Sequence, residues 1–406
     1  MKKRYDAFCE LATQRGLDVE DIKARLKRQV IEQPSWAVGN SGTRYGTFRD
    51  AGSARNVWDK IDDCEQIQRV LGVCPVMASH VCWDKTDDGR YAPVREYAEQ
   101  KGLRIGTVHP NTFAGQQFRF GSICSPQPDV RESTKAHLIE CVDMAREMGS
   151  KCIGMWVADG TNYPGQDVLR ERKHRLFEGL KALYDAMDED MTLVLEYKPF
   201  EPFFYTTDIA DWGMSMLMCS KLGPRAKVLV DLGHHLSGVN IGQIVSTLLD
   251  EGMIGGFHFN NRRYADDDLI TGTVQPLELF LIYNEIVDAS LNGLNTDITY
   301  MLDQSHNIEP SIEGIIYSVM NIQTSYAKAL TVDRKALREA QGNYDVILAN
   351  KILMEAFETD VTPLLAAVRE DMGLDDADPI ANYRRSGYAE KIARERGNEG
   401  MNTLGG

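Results

Sequence analysis

The chain predicts an α/β fold, a (β/α)8 TIM barrel with N-terminal and C-terminal helical extensions. Three observations point there. Short β-rich runs alternate with helical patterns over about 300 residues, several runs are continuously apolar, and the 406 residues are enough for one large barrel plus additions. The expected strands are 36–38, 73–78, 103–109, 151–157, 191–197, 227–232, 254–260 and 297–303. Between and after them, helical spacing predicts helices over 57–71, 133–148, 167–187, 208–222, 241–251, 276–289 and 312–329. In the second of these, Leu138, Ile139, Val142 and Met144 form the apolar stripe and Gly149 marks the stop. Pro276 opens its helix where a missing N–H costs nothing. Residues 1–30 read as a helical extension through Leu17, Ile22 and Leu26, 31–329 as the catalytic barrel, and 330–406 as further helices suited to oligomerisation, ending in a Gly-rich tail.

Composition narrows the function. Hydrophobic residues make up 43%, enough for a large core, and charged residues 26%. With 45 Lys plus Arg against 60 Asp plus Glu, the net charge is −15, which disfavours nucleic acid and anionic membrane as partners. A neutral small molecule such as a monosaccharide suits such a surface, and so do divalent cations. The eight cysteines include no C-x-x-C pair, so a zinc ribbon or thioredoxin-like motif is not expected and a reduced, cytoplasmic protein is. The start, MKKRYDAFCE, lacks the apolar region of a signal peptide, and no run is long enough for a membrane span. There is no G-x-x-x-x-G-K-[ST] loop and no G-x-G-x-x-G after a strand, so no nucleotide cofactor is expected.

Barrel enzymes place their chemistry at the C-terminal ends of the strands. Strand five ends on Glu196, six on Asp231, seven on His258 and eight on Asp303. Three carboxylates and one imidazole delivered to one rim suit a hard divalent ion, Mn²⁺, Co²⁺ or Mg²⁺. One such residue alone is more simply a satisfied polar group; four in succession after apolar runs point to a metal. A second ion is expected beside it. His234 follows Asp231 by three residues, and Asp266 and Asp268, read as alternate positions of an extended loop, face the same way. Asp231 would bridge the two ions. Lys198 shares the strand face of Glu196, placed to polarise a substrate oxygen or only to balance charge. His80, after strand two, is a candidate for hydrogen bonding the sugar ring oxygen or O1, or else a core histidine. Trp83, Trp156 and Phe113 are candidate walls for a sugar face, or core.

Trp36-Ala-Val-Gly-Asn-Ser-Gly-Thr-Arg-Tyr, Glu196-Tyr-Lys198-Pro, Val230-Asp-Leu-Gly-His-His235, His258-Phe-Asn and Tyr264-Ala-Asp-Asp-Asp268 together resemble the L-rhamnose isomerase family, in its broad-specificity bacterial branch. The likeness runs from about residue 30 into the C-terminal helices. It implies a barrel of the xylose-isomerase-like superfamily, a homotetramer using Mn²⁺ or a similar ion. Glu196, Asp231, His258 and Asp303 would then hold a structural ion, and His234, Asp266 and Asp268 a catalytic one. Lys198 and His80 would touch substrate. The implied reaction interconverts an aldose and its 2-ketose, by a metal-assisted hydride shift or through an enediol with a carboxylate base such as Asp268. Three rivals share such barrels: a ketose 3-epimerase, which the resemblance would give one ion and a pair of glutamates; a metal-dependent phosphodiesterase, disfavoured by the charge; and a barrel that only binds sugar.

Overall fold

The computed structural model describes residues 2–43, 46–201, 204–264, 266–375 and 378–403. Arg44 and Tyr45 of the first motif, Ala265 of the acidic loop and the end of the Gly-rich tail lie outside them. Eight parallel strands close into a barrel in chain order. They are β1 (Glu32–Pro34), β2 (Val76–His80), β3 (Arg104–His109), β4 (Cys152–Met155), β5 (Thr192–Glu196), β6 (Ala226–Asp231), β7 (Ile254–Phe259) and β8 (Thr299–Leu302). The ring closes where Glu32 pairs with Met301 on one side and Val76 on the other. No described helix is long and apolar enough to cross a membrane.

Strands two to eight lie within a few residues of the expected runs; the first does not. Residues 36–38 belong to a 3-10 turn, Ser35–Val38, and the strand precedes it at Glu32–Pro34. All three residues are buried, and two of them, Glu32 and Gln33, are polar. Glu32 accepts from the Thr107 N–H (3.0 Å), and Gln33 Nε2 donates to the Cys64 and Cys74 carbonyls (3.1 and 2.6 Å). Such a strand carries no apolar run to read.

The barrel helices are α3 (Val57–Leu71), α4 (Ala92–Gln100), α5 (Pro128–Met148), α6 (Leu169–Ala186), α7 (Trp212–Leu222), α8 (Ile241–Asp250), α9 (Pro276–Leu291) and α10 (Ser311–Leu330). They follow α1 (Lys2–Gln14) and α2 (Val19–Lys27). Helix α4 is absent from the sequence expectation. It has nine residues and buries only Val94 and Ala98, too little for a periodic stripe. The others start and stop by local chemistry. Asn56 caps α3 by accepting from the Asp59 N–H (3.0 Å), and Gly72, in the left-handed region, ends it. Five more helices follow, α11 (Arg334–Gly342), α12 (Val346–Phe357), α13 (Thr362–Asp371), α14 (Pro379–Arg385) and α15 (Tyr388–Arg396).

Candidate metal centre

The side chains at the ends of β5 to β8 converge. Glu196, Asp231 and His258 are buried, Asp303 is half-buried, and each offers a ligand atom within 4.8 Å of the others. His258 Nδ1 lies 3.4 Å from Glu196 Oε1, 3.7 Å from Asp231 Oδ2 and 3.2 Å from Asp303 Oδ2. Neither ring nitrogen of His258 completes a hydrogen bond, although the ring is buried. A buried imidazole without partners, facing three carboxylates, is the donor set a hard divalent ion requires. Partners hold these ligands in place. Asn260 Nδ2 donates to Asp231 Oδ1 (2.9 Å), as does the Gly233 N–H (2.7 Å), and Trp36 Nε1 donates to Asp303 Oδ1 (3.0 Å).

A second group adjoins the cage. His234 Nδ1 sits 3.1 Å from Glu196 Oε1, while its Nε2 lies 2.9 Å from Asp266 Oδ1 and 4.0 Å from Asp231. Asp266 Oδ2 also reaches Lys198 Nζ (2.7 Å), which is paired with Glu201 (2.6 Å). Asp268 meets Ser305 Oγ (3.4 Å). The loop carrying these aspartates is not extended. Asp266 and Asp268 both adopt left-handed backbone, φ 50° and 46°, so strand alternation does not place them. Such backbone costs energy in a non-glycine residue and gathers at functional sites. The convergent ligand atoms come from Glu196, Asp231, His258 and Asp303, with His234, Asp266 and Asp268 forming no such set of three among the described residues.

Electrostatics describe a site short of positive charge. Burial would raise the Glu196 carboxyl, but His258 and His234 beside it hold it below the usual range. Burial opposes charge on His258 too, yet Glu196 and Asp303 push it up to about 10. Asp231 is pushed up to about 6 by burial, with Glu196 and Asp303 adding to it. Asp268 is raised well above its ordinary value by burial and then by Asp266, Asp303 and Asp231. Carboxylates this crowded are the environment that bound divalent ions relieve. Lys198 is buried, but Asp266 and Glu201 outweigh desolvation and raise it, so it is a fixed cation.

The expected wall gathers around this centre. His80 is buried, with ring centroids 4.4 Å from Trp83 and 5.6 Å from Phe113. Burial, then His109 and Lys60, lower its pKa, so its imidazole is neutral. Phe113 packs against Trp156 with the rings tilted (centroids 5.0 Å), and the Trp156 ring lies 5.0 Å from Lys198 Nζ. Glu201 and His109 escaped the sequence reading, and Trp36 and Asn260 entered it only as parts of quoted motifs, without a role at the site. Of these only His109 had a legible signal, since it ends β3 as His258 nearly ends β7.

A closed parallel barrel carrying a carboxylate–histidine cluster at the C-terminal rim defines a (β/α)8 protein with a set of side chains that could hold a metal ion. The family model for the xylose isomerase-like TIM barrel matches residues 72–278. Two full-length relatives are probable sugar isomerases. One, from Rhizobium meliloti (strain 1021), is 40% identical over 98% of this chain and 93% of its own; the other, from Mesorhizobium japonicum, is 39% identical over the same shares. The chain belongs to the xylose isomerase-like TIM barrel family. Among solved structures, L-ribulose 3-epimerase aligns with a TM-score of 0.55 at 12% identity, covering 78% of this chain and 98% of that one, a likeness of fold.

Proposed function

We propose that the chain is a metal-dependent aldose–ketose isomerase that converts L-rhamnose to L-rhamnulose and accepts other aldoses such as D-allose. Glu196, Asp231, His258 and Asp303 would hold one divalent ion, and His234, Asp266 and Asp268, with Asp231 shared, a second. Mn²⁺ is the preferred ion, with Co²⁺ or Mg²⁺ as substitutes. The observation that carries the reading is the cage with its adjoining His234–Asp266–Lys198 group. The near full-length likeness to probable sugar isomerases supports it.

When bound, the ions supply Lewis acidity at the sugar oxygens. The chain's own groups do the rest. Lys198, held as a cation, donates to the carbonyl oxygen at C1 or C2 as charge develops there. His80, kept neutral, hydrogen-bonds the ring oxygen or O1. Asp268, beside Asp266, Asp303 and Asp231, is the carboxylate that would carry a proton between O2 and O1. Glu196 orients both histidines. Trp83, Trp156 and Phe113 exclude water from the apolar face of the sugar. The helices after 330 would serve a homotetramer, a reading supported by exposed Tyr344, Val346 and Ile347 and checked by sedimentation.

The test is a panel of aldoses, L-rhamnose and D-allose included, against purified manganese-loaded protein, reading ketose formation. Ketose from L-rhamnose supports the reading. C3 inversion of ketoses without aldose turnover would replace it with a 3-epimerase. Deuterium at C2 separates the routes, because wash-out into water excludes a pure hydride shift.

A further inference from the structure

Beneath the wall of His80 and Trp83 lies an ion pair shut off from solvent. Lys60, on α3, reaches Asp84, in the turn after β2, with Nζ 2.6 Å from Oδ1, and both side chains are 0% exposed. Neither group takes part in the sugar chemistry. Stability is not a sufficient reason for the pair either. Removing two charges from water costs about what their attraction returns, and apolar residues of similar volume often hold a core together as well or better.

An apolar pair could not supply the second carboxylate oxygen. Asp84 Oδ2 accepts the His80 N–H (2.8 Å), the Ser79 hydroxyl (3.1 Å) and the Ser35 hydroxyl. These donors come from two segments. Ser79 and His80 end β2, and Ser35 opens the turn after β1 that carries Trp36. Both segments lead into the site. His80 packs on Trp83, with ring centroids 4.4 Å apart, and Trp36 Nε1 donates to Asp303. The Trp36 ring stands edge-on to that of His80 at 6.2 Å. Trp36, Ala78 and Met301, with Trp83 packed against them, form a small apolar cluster apart from the main core. The main core therefore does not fix these rings directly, and the one buried carboxylate ties their two backbones together. Lys60 balances its charge and lies 6.0 Å from the centre of the Trp83 ring.

We propose that Lys60 and Asp84 are positioning residues for the sugar wall: the pair sets the spacing between the His80–Trp83 turn and the Trp36 turn, and with it the fit of the bound aldose. The inference rests on the reading of His80 and Trp83 as substrate contacts.

The experiment is a steady-state isomerase assay of manganese-loaded protein in two double variants. Lys60→Met/Asp84→Leu removes both charges and the acceptor. Lys60→Met/Asp84→Asn removes both charges but keeps an acceptor oxygen. The leucine variant is expected to raise the aldose KM about tenfold or more with little change in kcat, and the asparagine variant to recover most of that loss. A pair that served stability alone would shift Tm and leave KM where it was. A KM within roughly twofold of the parent in the leucine variant overturns the proposal, and so does an asparagine variant that recovers nothing. If the leucine variant fails to fold, Ser35→Ala/Ser79→Ala leaves the ion pair and removes two of its donors. KM should then rise about threefold or more, and an unchanged KM overturns the proposal. A parent that forms no ketose from any aldose would refute the isomerase reading instead. The His80 ring resonance in histidine-labelled protein then decides for the pair: displacement in the leucine variant with return in the asparagine variant supports it, and an unmoved signal overturns it.

Discussion

At the scale of single residues, the centre depends on side chains that serve two neighbours at once. Glu196 Oε1 stands 3.1 Å from His234 and 3.4 Å from His258, so it joins the two groups that would hold ions. Glu196→Gln removes that charge with almost no change of shape. The expected result is metal affinity reduced by more than the roughly 10–100-fold typical of a group outside the coordination sphere, with ketose formation lost in parallel. Manganese titration followed by steady-state assay checks it, and unimpaired turnover would refute the catalytic role of the cage. Lys198 tests differently. Because Asp266 and Glu201 keep it charged, the proposed role is that of a fixed donor and not of a base. Lys198→Met is expected to lower kcat by about 100-fold while metal affinity stays within a few fold. A loss confined to KM would assign Lys198 to binding alone. The cage residues were readable because each follows an apolar run. Asn260, Trp36 and Glu201 were not, because their roles arise only where separate segments meet: Trp36 reaches Asp303 across 267 positions of sequence.

At the scale of elements, legibility followed apolar surface. Several of strands β2 to β8 are continuous hydrophobic runs, and all seven lie within a few residues of the expected positions. Strand β1 hides in Glu32-Gln33-Pro34 because its buried Glu32 carboxylate and Gln33 amide nitrogen take their partners from Thr107, Cys64 and Cys74, a pattern invisible without the fold. The acidic loop was read as extended when its aspartates take left-handed turns, since backbone sign is not encoded by alternation. Strand β4 shows how closely the elements fit around the centre. Gly154 lies on it with Cys152, Ile153 and Met155 paired to β5, so the backbone cannot shift. A Cβ added there would collide with His109 Nε2, on a ring 5.6 Å from that of His258. Gly154→Ala is expected to destabilise by about 1–3 kcal/mol, as overpacking does. Urea denaturation measures it, and His109→Ala in the same chain should restore part of the loss.

At the scale of the whole molecule, the two ends of the chain meet behind the site. Arg396 of α15 is buried against α3, donating from Nη1 to Asp63 Oδ2 (2.7 Å) and to the Gly52 carbonyl (3.0 Å). The residues after it run along the turn that carries Trp36. Met401 N–H donates to the Ala54 carbonyl (2.8 Å), Asn40 N–H to the Met401 carbonyl (2.8 Å), and Thr403 Oγ1 to the Trp36 carbonyl (2.8 Å). Trp36 in turn donates from its indole to Asp303. Hydrogen bonds therefore lead from the tail through Trp36 to a candidate metal ligand, a route by which the tail would help orient the cage. Removing residues 399–406 leaves Arg396 and its partners intact but takes away the hydrogen bonds that Gly400, Met401 and Thr403 make to Trp36 and Asn40. The expected outcome is a fold with little change in Tm and roughly tenfold weaker manganese binding, because a displaced outer partner of a ligand typically costs 10–100-fold. Trp36→Phe, which deletes the indole N–H alone, should reproduce that loss in the full-length chain. Combining the two changes should weaken binding no further, since both act through the same bond to Asp303. Additive losses would mean that the tail supports the centre by another route, and unchanged affinity in the truncated chain would confine it to stability.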